Sequence, residues 1–329
     1  MSPQDSLIVI PQANAISREQ RQSGLRTSQI NHRGIEYYDK SRYFLELLRE
    51  IGAVELNTNN ELVISSFFAN QPKGMVSRIL GYVAEGLVVR ECNQSFSENR
   101  KWANYARMLR QNSNSVFQLL KSIFYKPFLE NPDNYIAVGT GFTKTKSYHN
   151  HIYNPQSDRD ICWIHSYNHA KELITVEGMK KNKTHVAGIQ LKVSLGKKGD
   201  YVTNYFKKKP YYTLYPVVYF DLGDDFHQVK DNLLNLDSDT VKPNTLFARN
   251  VNYEAFSRKE IVDIMLIRGK SIAPELHEEL LYYKKVLNKI ISGKIKLVDL
   301  NNTEVLISLI LEYSGYNLHP SSPILNVAV

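Results

Sequence analysis

Apolar residues recur at helical spacing through Tyr43, Phe44, Leu47, Leu48 and Ile51, and Gly52 ends the run. The spacing predicts a helix there. Two short β-type runs then flank an Asn-rich turn within 54–64, which predicts a hairpin. A helix followed by a small hairpin is compatible with a winged-helix module. The segment GMVSRILGYVAEGLVVRECN, from Gly74, carries apolar residues around more than one face, so a buried helix is expected. In such a helix Glu85 is costly unless it is paired or bound to a cation. The alternative places Glu85 on a narrow exposed face beside Arg78 or Arg90.

Helical spacing continues over 101–129, closed by Pro127 and Pro132. Strands are expected at 135–139, 161–164, 186–193 and 215–222, followed by a helix at 226–236. From 258 onward the periodicity is helical, with a last apolar helix at 305–313. These elements predict an α/β core with helical additions at both ends. The expected organisation is a polar basic arm at 1–35, a helix-plus-hairpin subdomain at 36–72, a core at 73–240 and a helical region at 241–329.

Lys plus Arg number 41 against 33 Asp plus Glu, a net charge of +8 and a pI near 9.2 that favour polyanionic partners. Cys92 and Cys162 are too few for a thiolate zinc cluster or a disulfide framework, so a reduced, cytoplasmic setting is the expectation. No apolar run approaches a membrane span, and the first residues lack the pattern of a secretory leader. The loop GFTKTKS at 141–147 does not have the spacing of a phosphate loop.

The chemistry is concentrated in THVAGIQLKVS. On a strand, Gln190 and Lys192 point to one face while Ile189, Leu191 and Val193 point to the other. Upstream, Asp160 leads the apolar run ICWI; Asp158 and Glu177 are rival carboxylates. Downstream, Lys197, Lys198, Lys207, Lys208 and Lys209 are interleaved with aromatic residues including Tyr205, a pattern suited to phosphates and stacked bases. His149, His151, His165 and His169 form a second, less favoured metal-ligand set.

Glu85 in GYVAEGLVV, Asp160 in SDRDICWI and Gln190-Leu191-Lys192 in VAGIQLKVS stand in the order of the PD-(D/E)XK nuclease superfamily. They resemble its subgroup in which Gln replaces an acidic residue. The resemblance covers roughly residues 75–235. It implies a restriction-endonuclease-like mixed central sheet flanked by helices, and a metal-dependent DNA endonuclease serving restriction or anti-phage defence. It implies Mg²⁺, with Mn²⁺ as a substitute, on Asp160, Gln190 and Glu85, and a catalytic Lys192. Cutting two strands generally needs two active sites, which leaves a homodimer open. The alternative is a non-catalytic DNA-binding protein with a degenerate nuclease core.

Overall fold

A computed structural model of the chain describes residues 43–70, 74–107, 130–175, 186–196, 215–235 and 258–302, with Val305 and Leu309. It divides into two compact units, Met1–Val76 with Leu281–Val329, and Ser77–Leu280. Among the described residues no helix is long and apolar enough to cross a membrane.

In the first unit, residues 43–50 are helical and Gly52 breaks the helix at a positive φ of 72°. The hairpin follows as β1 (Val54–Leu56) and β2 (Leu62–Ile64), paired antiparallel with Val54 opposite Ile64. Its turn is built by Asn57, whose side-chain oxygen accepts from the amides of Asn59 and Glu61, and by Asn60 at φ 59°. Helix α1 (Ser66–Ala69) comes next, and Phe44 stacks on Tyr283 at a centroid distance of 4.2 Å.

The second unit carries the sheet. Helices α2 (Met75–Gln94) and α3 (Phe96–Ala106) precede β3 (Tyr135–Gly139), the short helix α4 (Thr143–Tyr148), β4 (Ile161–His165), β5 (Gly188–Ser194) and β6 (Val217–Asp221). Helices α5 (Phe226–Leu234) and α6 (Arg258–Met265), strand β7 (Leu266–Arg268), and helices α7 (Gly269–Ile272) and α8 (Pro274–Ile291) complete the order. The strands lie side by side as β3-β4-β5-β6-β7. The first three pair antiparallel and the last three parallel, so the sheet is mixed. The expected strands and the helix at 226–236 are present within a few residues. Two expectations change: 141–147 is not wholly loop but contains α4, and the helical periodicity after 258 is interrupted by β7. That strand pairs with β6, and Arg268 at its end forms an ion pair with Asp221.

The long spacing between Asp160 and Gln190 also has an explanation. Pairing of β4 with β5 covers only Ile161↔Ile189 and Cys162↔Gly188. Along the second half of β4 the neighbour is instead the returning segment 171–175, with Leu173 N–H donating to Trp163 O and Glu172 bridged to Ile164. The excursion therefore fills the place that β5 leaves vacant.

The free edge of β3 is closed by side chains. The carbonyls of Tyr135, Ala137 and Gly139 accept from Asn99, Asn93 and Thr145 in turn, and the Ala137 amide donates back to Asn93. Three alternate carbonyls that would otherwise template another strand are thereby occupied. Asn99 also donates to Pro132 O and accepts from the buried Trp163 indole at 2.7 Å. At the other side, the carboxyl ends of the parallel strands are tied by a polar network. Ser194 and Tyr219 hydroxyls donate to Asp225, and Arg268 bridges Asp221 and Asp224. The turns after β5 and β6 touch through Gly196 and Gly223; a Cβ on Gly196 would stand 2.6 Å from the Gly223 Cα.

Replacing Asn99 by Ala takes the partner from the Trp163 indole and from the Tyr135 carbonyl, and leaves Pro132 O with the Tyr135 N–H alone; it is expected to destabilise the fold by about 2–4 kcal/mol in urea unfolding. A second expectation concerns Glu91, which lines a cavity of about 400 Å³ with Glu98, Lys101 and Glu275. Burial, reinforced by Glu98, pushes its carboxyl up to about 7. The folded state then holds a proton that the unfolded state has released, so stability falls as pH rises from about 4.5 to 7. In Glu91→Gln this fall is expected to shrink, with a gain on the order of 2 kcal/mol at about pH 8, measured by unfolding at about pH 4 and about pH 8.

Candidate functional site

Asp160 ends the turn that enters β4. Its amide donates to Ile189 O and its carbonyl accepts from Thr140 N–H, so the backbone is tied to both neighbouring strands. One carboxylate oxygen, Oδ2, accepts from the Leu191 amide at 2.6 Å and from the Lys192 ammonium at 3.2 Å. The predicted pair of Asp160 and Lys192 is thus in direct contact.

Gln190, two residues before Lys192 on β5, is only 1% exposed. Its amide nitrogen donates to the Asp158 carbonyl, which can only accept. That bond settles which way the amide points, and it leaves the buried oxygen Oε1 without a hydrogen-bond partner among the described residues. A buried carbonyl oxygen with no donor is costly, so the position favours an electropositive ligand. Asp158 contributes its backbone to this arrangement, orienting Gln190 through its carbonyl.

Glu85 is 7% exposed near the middle of α2, away from the exposed face weighed as its alternative. Burial, then the nearby Asp160 carboxylate, raise its pKa well above the ordinary carboxylate range, while the Lys192 ammonium works in the opposite direction. All four predicted residues therefore belong to one neighbourhood. Tyr82, one turn before Glu85, was not expected there. Burial, with Glu85 and Asp160 next, pushes its phenol up to about 12, and its ring lies 3.4 Å from where a Cβ on Gly141 would stand. The i, i+3 relation to Glu85 was the available signal. Thr140, which also binds the Arg159 and Asp160 carbonyls through its hydroxyl, carried none.

A set of two carboxylates and one neutral amide oxygen suits a hard cation such as Mg²⁺, which takes a few protein oxygens and completes its shell with water and substrate. Among the described residues no cluster of three or more His, Cys, Asp and Glu side chains is arranged to hold a metal. The histidines gather differently from a ligand set. His149 packs edge-on against His169 at 4.7 Å, His151 Nε2 lies 2.9 Å from the His169 carbonyl, and His165 packs against Tyr135. Lys197, Lys198, Tyr205, Lys207, Lys208, Lys209 and Glu177 lie outside the described residues, as does the arm at 1–35.

No protein-family model, no curated protein and no solved structure matches the chain.

The Asp160–Lys192 pair is partly exposed, so its coupling is expected to be modest. A double-mutant cycle with Asp160→Asn and Lys192→Met should return about 1 kcal/mol of interaction in denaturant unfolding. A coupling of zero would show that the two charges do not act together in solution.

Proposed function

We propose that the chain is a metal-dependent phosphodiesterase. More particularly, we read it as a Mg²⁺-dependent DNA endonuclease of restriction-endonuclease-like fold, with Mn²⁺ as a substitute cation. The observation that carries this reading is the buried, donorless Oε1 of Gln190, beside a carboxylate already gripped by Lys192. Support also comes from topology: Asp160 leads the strand that pairs with the one bearing Gln190 and Lys192, and Glu85 approaches from the helix before the sheet. The positive net charge suits a polyanionic substrate.

In this reading Asp160, Gln190 and Glu85 hold the cation. Mg²⁺, when bound, neutralises phosphate charge, lowers the pKa of an attacking water and stabilises the leaving oxygen. The chain's own groups do the rest. Lys192, held near Asp160, places a positive charge where the scissile phosphate gathers negative charge, and it can orient the attacking water. The Leu191 N–H keeps the Asp160 carboxylate in its rotamer, which fixes one ligand before substrate arrives. Restriction or anti-phage defence is the role the resemblance implies, the two cysteines suit a reduced, cytoplasmic setting, and two-strand cleavage would bring two copies together.

Supercoiled plasmid incubated with Mg²⁺ tests the reading. The parent chain is expected to nick or linearise it, EDTA to stop the reaction, and Asp160→Ala or Lys192→Ala to lower the rate by about 100-fold or more. Full activity in both variants would sink the assignment. DNA binding with no turnover under any divalent cation would favour the degenerate, non-catalytic form.

A further inference from the structure

Resting on the nuclease reading, we propose that Asp225 is a positioning residue for Lys192, a second buried carboxylate that acts on the ammonium from the side away from Asp160. In the parallel ladder of β5 and β6, Lys192 stands opposite Tyr219 and Ser194 stands opposite Asp221. Register partners on neighbouring strands share a face, as do residues two apart on one strand. Lys192 therefore has Tyr219 beside it toward β6 and Ser194 beside it along β5, while its ammonium reaches Asp160 toward β4.

Both of those neighbours turn their hydroxyls to one acceptor. Ser194 donates to Asp225 Oδ2 at 2.6 Å and Tyr219 donates to the same oxygen at 2.9 Å, and all three residues are buried. Asp225 stands at the N-cap of α5, where an aspartate ordinarily accepts from the first-turn amides. Its side chain makes no such bond. The carboxylate is turned inward instead, to the sheet face that carries Lys192.

The two buried carboxylates near the end of β6 differ in what balances them. Arg268 donates twice to Asp221. Asp225 receives hydroxyls only; among the described residues no cation pairs with it, and Oδ1 has no hydrogen-bond partner. A buried carboxylate without a cation is costly. The face it turns to carries the Lys192 ammonium, which offsets that charge across the Ser194 and Tyr219 hydroxyls. The effect is mutual. A lysine stem is long and flexible, and a negative charge on one flank alone draws the ammonium to that flank. A second fixed charge on the opposite flank sets where between them it rests. Asp225 is assigned no contact with phosphate or cation; it acts through Lys192.

Unfolding in EDTA tests the pair without any turnover. Asp225→Asn is expected to lower the folding equilibrium constant about 5-fold less in a Lys192→Met chain than in the parent, because the charge it would strand is already gone. Tyr219→Phe keeps the ring and drops only the bond to Asp225; in the same cycle it should couple about 3-fold, and it replaces Asp225→Asn if that variant does not fold. In plasmid cleavage with Mg²⁺, either variant should lower kcat about 10-fold with KM for plasmid unchanged, and should not lower the residual rate of Lys192→Ala further. A carboxylate that only tied the turns after β5 and β6 would contribute the same stability whichever residue stood at 192. Additive stabilities, or a parental kcat in the variant that folds, overturn the proposal. Cleavage by the parent with additive stabilities removes the role of Asp225 alone, whereas coupled stabilities in a parent that cleaves no plasmid remove the nuclease reading alone.

Discussion

The second half of β5 is joined to the turn before β4 by one carboxylate. The ladder between these strands is only two residues long, and Asp160 extends it with a side-chain bond to the Leu191 amide. The same oxygen holds Lys192, so one residue joins strand pairing to charge placement, and the Gln190 amide adds a second tie to the turn through the Asp158 carbonyl. The returning segment at 171–175 occupies the rest of the β4 edge, so β4 and β5 share no further pairs among the described residues.

Around that bond the charges are poorly balanced. Glu85 is buried near a second carboxylate, and the Lys192 ammonium works against that repulsion. Burial, with the same negative charge next, raises the Tyr82 phenol. A proton on Glu85 relieves the repulsion, and so would a divalent cation, which also satisfies the open oxygen of Gln190. Both solutions draw on the same local excess of negative charge. The surrounding sheet is comparatively settled, with one edge sealed by Asn93, Asn99 and Thr145 and the parallel ends tied through Asp225 and Arg268.

Much of this was legible in the residue pattern. The short apolar run YIAVG and the alternating GIQLKVS located two of the central strands, and the alternation within the second put Gln190 and Lys192 on one face. The all-round apolar character of α2 offered burial as one of two readings of Glu85, and the structure takes that one. What the pattern did not contain was partner choice. Leu266–Arg268 is too short for period to distinguish strand from helix, and its pairing with β6 is a tertiary contact. The role of Thr140 rests on backbone groups, which every residue has. The edge-sealing of β3 likewise depends on which amide side chains reach which carbonyls, and spacing along the chain does not encode that.

The central claim is that Asp160, Gln190 and Glu85 converge on a cation. A crystal soaked in Mn²⁺ and measured for anomalous scattering tests it directly. The account predicts a single strong peak within about 2.0–2.3 Å of an Asp160 carboxylate oxygen and of Gln190 Oε1, with Glu85 bound directly or through water. A clean map around these residues at saturating Mn²⁺, or a peak whose ligands exclude Gln190, would contradict it.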